Sequence, residues 1–363
     1  MAEDTTLVEK RDELKRRLAV GEYRTLVDIM FDKTGRFIQK LTRSAEPPSS
    51  WYSAVFIGLA MWLIGLLTSI LLGEFNESRR DFIPVEIVSV VIVLASLLAI
   101  RLVNRVLATM MANHVLDAIK SEADLADFEA WLIRLVKVKE PLWISLIYSI
   151  VSTGYVVILL AMIGAGPSGF GPILFSLLGS FLAATPIYYL FVIITLPSRL
   201  SRYEFDLYPA DPSSSEVIDH LSDMFMYFMY IGMAVGVISS LAAVLLDLAA
   251  FSYLIFIALI IWGPLTAFFI ITQTALTRII PRVKWKKLNQ IQAVIRELEM
   301  GQNLAEMETM EAVNRLMDYH NRIKATRNSA LDLRAGLNFL NSLLLPLLAF
   351  LVGNLDKVLD FFS

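Results

Sequence analysis

The stretch that decides the fold is Met224–Ile280, which reads MFMYFMYIGMAVGVISSLAAVLLDLAAFSYLIFIALIIWGPLTAFFIITQTALTRII. It holds two apolar runs, Met224–Leu248 and Phe251–Ile271, pinched at Asp247. About 20 residues at about 1.5 Å rise make about 30 Å, the thickness of a hydrocarbon core. Each run is therefore long enough to cross a bilayer, and the pair predicts a membrane hairpin. The pattern occurs twice more upstream. Trp51–Gly73 pairs with Phe82–Leu102, and Leu142–Ile163 pairs with Pro172–Pro197. The predicted fold is all-α and polytopic. Six transmembrane helices, at about 51–73, 82–102, 142–163, 172–197, 224–248 and 251–280, form three hairpins.

Composition agrees. Hydrophobic residues make up 56% of 363 and charged residues 18%, against about 25% charged in soluble domains. The surplus falls in blocks, as spanning segments require. A net charge of −3 gives no bulk field for nucleic acid. No cysteine is present, which removes disulfides, thiolate metal sites and thiol nucleophiles. Residues 1–50 lack the short apolar core of a cleavable signal, so the first span is expected to direct insertion.

Polar helices are expected between and around the spans. Leu7, Leu14 and Leu18 recur at helical spacing among basic residues. A second helix is predicted over Glu22–Leu41, with Leu26, Met30, Phe37 and Leu41 apolar. It is either a solvated cytosolic helix or an interfacial one held by anionic lipid. Loop 103–140 contains an amphipathic helix, Ser121–Lys139, with Leu125, Phe128, Leu132 and Leu135 on one face. Loop 198–223 is polar. Asp211 with Pro212, and Ser213 with Glu216, carry helix-start signals there. Residues 281–336 predict a cytosolic helical hairpin, Trp285–Met300 and Leu304–Arg327, divided at Gly301. The C-terminal apolar helix lies in 337–363. Its apolar run, Leu337–Val352, would reach only about 24 Å, so it reads as a re-entrant helix or a seventh span.

Charge asymmetry sets the orientation. Residues 1–50 hold ten Lys and Arg, Arg101–Lys139 six and Thr277–Gly336 eleven, while the loops on the other side hold only Arg79 and Arg80. The expected topology is a cell-membrane protein with a cytosolic N-terminus. Its expected partners are the lipid bilayer, further copies in a homo-oligomer and a cytosolic protein; nucleic acid is not expected.

Several motifs bear on function. Gly164–Gly169 matches GxGxxG, but it joins two spans and lacks the strand and helix of a dinucleotide fold, so it reads as a turn. Gly232, Gly236 and Ser240 recur at i, i+4, i+8, as do Ser176, Ser180 and Ala184. Such ridges let helices approach closely in lipid, within one chain or between chains. Pro186 and Pro264 interrupt the second helices of two hairpins, and each frees a carbonyl that a ligand could use. Glu86 and Asp247 are ionisable groups at span ends. Gln273 adds a polar position to the last span. The five residues Pro186, Pro264, Gln273, Glu86 and Asp247 are the candidate pathway or hinge residues. No HExxH, P-loop or catalytic triad is present, so no enzyme, cofactor or metal site is expected. The functional expectation is an oligomeric, channel-like conduit for ions or small solutes, gated by its cytosolic helices. The alternative is a membrane-anchored signalling or scaffold protein that presents those helices to a partner.

Overall fold

A computed structural model describes residues 2–44, 46, 48–75, 77–162, 169–245, 261–301 and 307–327. Every regular element among them is helical. They are α1 (Ala2–Ala19), α2 (Leu26–Thr42), α3 (Ser50–Leu71), α4 (Glu77–Met110), α5 (Glu122–Val136), α6 (Lys139–Met162), α7 (Phe170–Leu200), α8 (Glu216–Leu245), α9 (Gly263–Gly301) and α10 (Met307–Ala325). A π-helical turn, Met111–Val115, and short 3-10 turns at Leu116–Ala118 and Pro212–Ser214 join them. Among the described residues the single extended contact is an antiparallel bridge between Ile119 and Phe205.

Five helices are long and apolar enough to cross a membrane: Ser50–Leu71, Ile83–Ala118, Phe170–Leu200, Glu216–Ala242 and Gly263–Met300. They are α3, α4 with its π-helical extension, α7, α8 and α9. The 24-residue α6 runs antiparallel along α7. Glycine brings the helices together. A Cβ on Gly58 would stand 2.7 Å from both Val90 and Leu94 of α4. One on Gly171 of α7 would stand 2.7 Å from the Gly65 carbonyl of α3. Those backbones touch because no side chain intervenes. Glu74, just past α3, caps the start of α7. Its Oε1 accepts from Phe170 N at 2.9 Å and its Oε2 from Gly171 N at 3.1 Å.

The polar elements gather at one end, where α4 and α7 finish and α6 and α8 begin. Leu125, Phe128, Leu132 and Leu135 of α5 are buried together, as their spacing predicts, and Trp131 joins them. Trp131 Nε1 donates to Thr195 Oγ1 of α7 at 3.2 Å. Ion pairs stitch the layer: Lys10 with Glu122, Arg17 with Glu129, and Arg199 with Asp127. Leu288 and Ile291 of α9 form a separate apolar cluster with Ile323 of α10.

Three expectations need correction. The last span, expected to end at Ile280, and the helix expected from Trp285 are one: α9 runs through Pro281 to Gly301. The proline removes one backbone bond, but tertiary contacts hold the chain beyond it. Arg282 donates to the Arg202 carbonyl at 3.0 Å, and Lys284 to that of Thr326 at 2.6 Å. Ser213 and Glu216 form no capping box. Asp211 instead caps the 3-10 turn through Ser213 N at 3.1 Å. The second N-terminal helix begins at Leu26, not Glu22. Thr25 and Asp28 make a reciprocal capping box there. Residues 164–168 of the glycine-rich turn, Asp247 and Leu337–Val352 lie outside the described residues.

Candidate functional site

Two features stand inside the bundle: a hydroxyl seam and an apolar cavity. The seam joins α6 to α7. Ser145 Oγ lies 3.1 Å from Thr185 Oγ1, Ser149 Oγ donates to the Leu177 carbonyl at 2.5 Å, and Ser180 Oγ donates to Ser152 Oγ at 3.2 Å. Thr153 and Ser176 close the row at 3.5 Å. At the polar end Tyr188 O–H continues it, donating to Glu140 at 3.1 Å. Glu140 to Thr153 is thirteen residues of α6, or about 20 Å. In hydrocarbon such hydroxyls find partners on a neighbouring helix because neither water nor lipid offers one.

The cavity measures about 200 Å³ and lies where α4, α7, α8 and α9 face each other, with Tyr148 of α6 at its side. Its wall is aliphatic and aromatic, with Ile100, Leu190, Phe228 and Phe268 prominent. Ser96 and Tyr148 supply its side-chain hydroxyls, and no charged side chain lines it. Ser96 is already engaged, donating to the Ile92 carbonyl at 2.8 Å.

The predicted residues fall around these features. Pro186 and Gly232 line the cavity. Pro264 does not; it immediately precedes Leu265, which does. Ile261 and Trp262, both π-helical, come just before α9, and Ile261 is also in the wall. Gly236 and Ser240 pack against the same stretch. A Cβ on Gly236 would meet the Trp262 ring at 3.2 Å, and Trp262 Nε1 donates to Ser240 Oγ at 3.3 Å. Ser176 and Ser180 belong to the seam, and Ala184 is buried beside it on α7. Glu86 is buried on α4, away from the cavity wall. Gln273 lies just over one turn beyond Phe268. Its Oε1 and the buried Thr272 hydroxyl have no hydrogen-bond partner among the described residues.

Sequence reasoning missed the α6 half of the seam. Ser145, Ser149 and Ser152 fall at i, i+4, i+7, a helical face legible in principle. The cavity had no such signal, because its wall is assembled from five segments distant in sequence.

No protein-family model matches this chain, and neither a curated protein nor a solved structure is significantly similar to it. The site therefore rests on its own geometry. The lining of the pocket is chemically suited to an apolar group. A bare ion would lose its hydration there with nothing in exchange.

Proposed function

We propose that this protein is a multi-pass membrane protein that takes up the apolar part of a lipid-like amphiphile between its helices. The observation that carries this reading is the apolar cavity at Pro186, halfway along α7. A half-open apolar pocket of about 200 Å³ beside a proline and a glycine is a place where such an amphiphile's tail could enter. The conduit expected from the sequence, for ions or small solutes, narrows accordingly to an amphiphile whose tail enters the cavity. The cavity is walled by helices of one chain, so this reading does not depend on oligomer formation. In it α6 spans the membrane as the sixth helix. The basic end faces the cytosol, because Lys and Arg concentrate there. Single cysteines at Phe75 and Met300 should then label from opposite sides with an impermeant reagent; labelling from one side would refute that orientation.

The central test fills the cavity. Protein in nanodiscs is titrated with a fluorescent fatty acid, and the same probe is followed between leaflets of reconstituted liposomes. Wild-type protein should bind the probe and speed its transfer. Ala183→Phe places a ring in the wall and should weaken binding by about tenfold or more, the equivalent of roughly 1.4 kcal/mol. Equal binding by folded wild-type and Ala183→Phe protein would sink the proposal.

A further inference from the structure

A second cavity, of about 400 Å³, lies at the polar end between α1, α2, α4 and α5. Its polar wall is formed by Arg24, Asp28, Asp32, Arg101, Asn104 and Arg105. The charges do not balance. Asp28 is occupied: its Oδ2 accepts from Thr25 N at 3.1 Å, Thr25 Oγ1 at 2.7 Å and Asn104 Nδ2 at 2.7 Å. Asp32 is shared between two guanidinium groups, Arg24 and Arg101, each at 3.1 Å. Arg105 is exposed and has no acidic partner among the described residues. Three guanidinium groups thus face one shared carboxylate and one committed to hydrogen bonds.

Arg101 is the most constrained of the three. Its side chain is 14% exposed. Its guanidinium lies over the Phe31 ring, 5.1 Å from the centroid. Its Nε and Nη1 have no hydrogen-bond acceptor among the described residues. A buried charged donor without an acceptor is costly, and a buried guanidinium is stabilised best by a planar or tetrahedral oxyanion that takes two of its N–H groups. Arg101 also directly follows Ile100, which lines the apolar cavity. The polar cavity therefore opens at the depth where apolar helix gives way to polar chain.

We propose that this cavity binds a phosphate-type anion. That chemistry is shared by a phospholipid headgroup and a soluble phosphate, and Arg24, Arg101 and Arg105 are its ligands. Phe31 and Asp32 hold Arg101 in place. Asp32 also limits affinity, because it competes with the anion for the same guanidinium groups.

The test uses the full chain in uncharged detergent, with two probes titrated separately by calorimetry: inorganic phosphate and short-chain phosphatidylglycerol below its micelle concentration. Short-chain phosphatidylcholine serves as a headgroup control with no net charge. Arg105→Gln should weaken binding by about tenfold, the usual scale for one charge-assisted hydrogen bond, without disturbing an ion pair. Asp32→Asn should tighten binding several-fold, a change that partial unfolding cannot produce. Binding of phosphatidylglycerol alone assigns the site to a headgroup, and equal binding of inorganic phosphate assigns it to a soluble ligand. The proposal is overturned if neither probe binds, if phosphatidylcholine binds as well as the anionic lipid, or if Arg105→Gln and Asp32→Asn leave affinity unchanged.

Discussion

The α6–α7 and α8–α9 seams begin as the same sequence pattern and end as different contacts. Ser176, Ser180 and Ala184 share the i, i+4, i+8 spacing of Gly232, Gly236 and Ser240. On α7 the serines bond to hydroxyls of α6. On α8 the glycines make room for large side chains at the start of α9 and just before it, Leu265 against Gly232 and Trp262 against Gly236. One seam is held by matched polar groups, the other by matched shapes. Small residues at helical spacing therefore specify that helices meet, while the partner helix decides what holds them.

The largest effect should come from breaking the shape match. Gly236→Leu places a branched side chain where even a Cβ meets the Trp262 ring at 3.2 Å and Ile261 at 3.3 Å. Overpacking costs about 1–3 kcal/mol, and an indole ring moves less readily than a leucine terminus. Gly232 is more forgiving, since its Cβ would meet only the end of Leu265, next to the cavity. Gly236→Leu should lower the melting temperature in detergent more than Gly232→Ala. Leu241→Ala, at an exposed position on the same helix, should change it least. An unaltered melting point in Gly236→Leu would show that the two helices separate at no cost, and the shape-matched seam would be lost.

The hydroxyl seam should yield less per residue. Interhelical hydrogen bonds in membranes couple by about 0.6 kcal/mol on average. A double-mutant cycle on Ser145→Ala and Thr185→Val should return a coupling of that order, because both side chains are fully buried. A coupling near zero would mean that the seam is packing with incidental hydroxyls.

The same contrast explains what was legible in the sequence. The helices and their apolar runs could be read because periodicity and run length are local. The α5 face could be read because four apolar residues there share one side. Phe37 and Leu41 belong to an equally plain pattern, yet both are exposed, Phe37 even though its ring lies 5.6 Å from that of Phe56 on α3. Glu74 as the cap of α7 could not be read, since it acts on backbone 96 and 97 residues away. Pro186 lines the cavity, but it does not interrupt its helix as expected: α7 runs through it unbroken, and Pro264 is the second residue of α9. The void itself depends on how five helical segments fail to close, which no single segment encodes.

The smallest effect separates the seams from the polar end by pH. Tyr203, just past α7, is 4% exposed and donates its O–H to Asp127 Oδ2 at 2.8 Å. Burial holds its phenol well above the usual range, and the neighbouring Asp127 carboxylate adds to the shift. Burial likewise pushes Tyr23 up to about 12, with Glu129 contributing. In the unfolded chain both titrate near about 10. The folded state therefore keeps protons that the unfolded state has released. Their contribution is complete below about pH 10 and is lost as pH rises beyond it, at no more than about 1.4 kcal/mol per pH unit for each proton. The serine and threonine hydroxyls of the seam do not titrate in this range. Thermal stability followed from pH 9 to 11.5 should decline in wild-type protein, and the decline should flatten in Tyr203→Phe. It should persist undiminished in the Ser145→Ala, Thr185→Val double variant. Equal alkaline slopes in wild type and Tyr203→Phe would place the pH sensitivity elsewhere in the molecule.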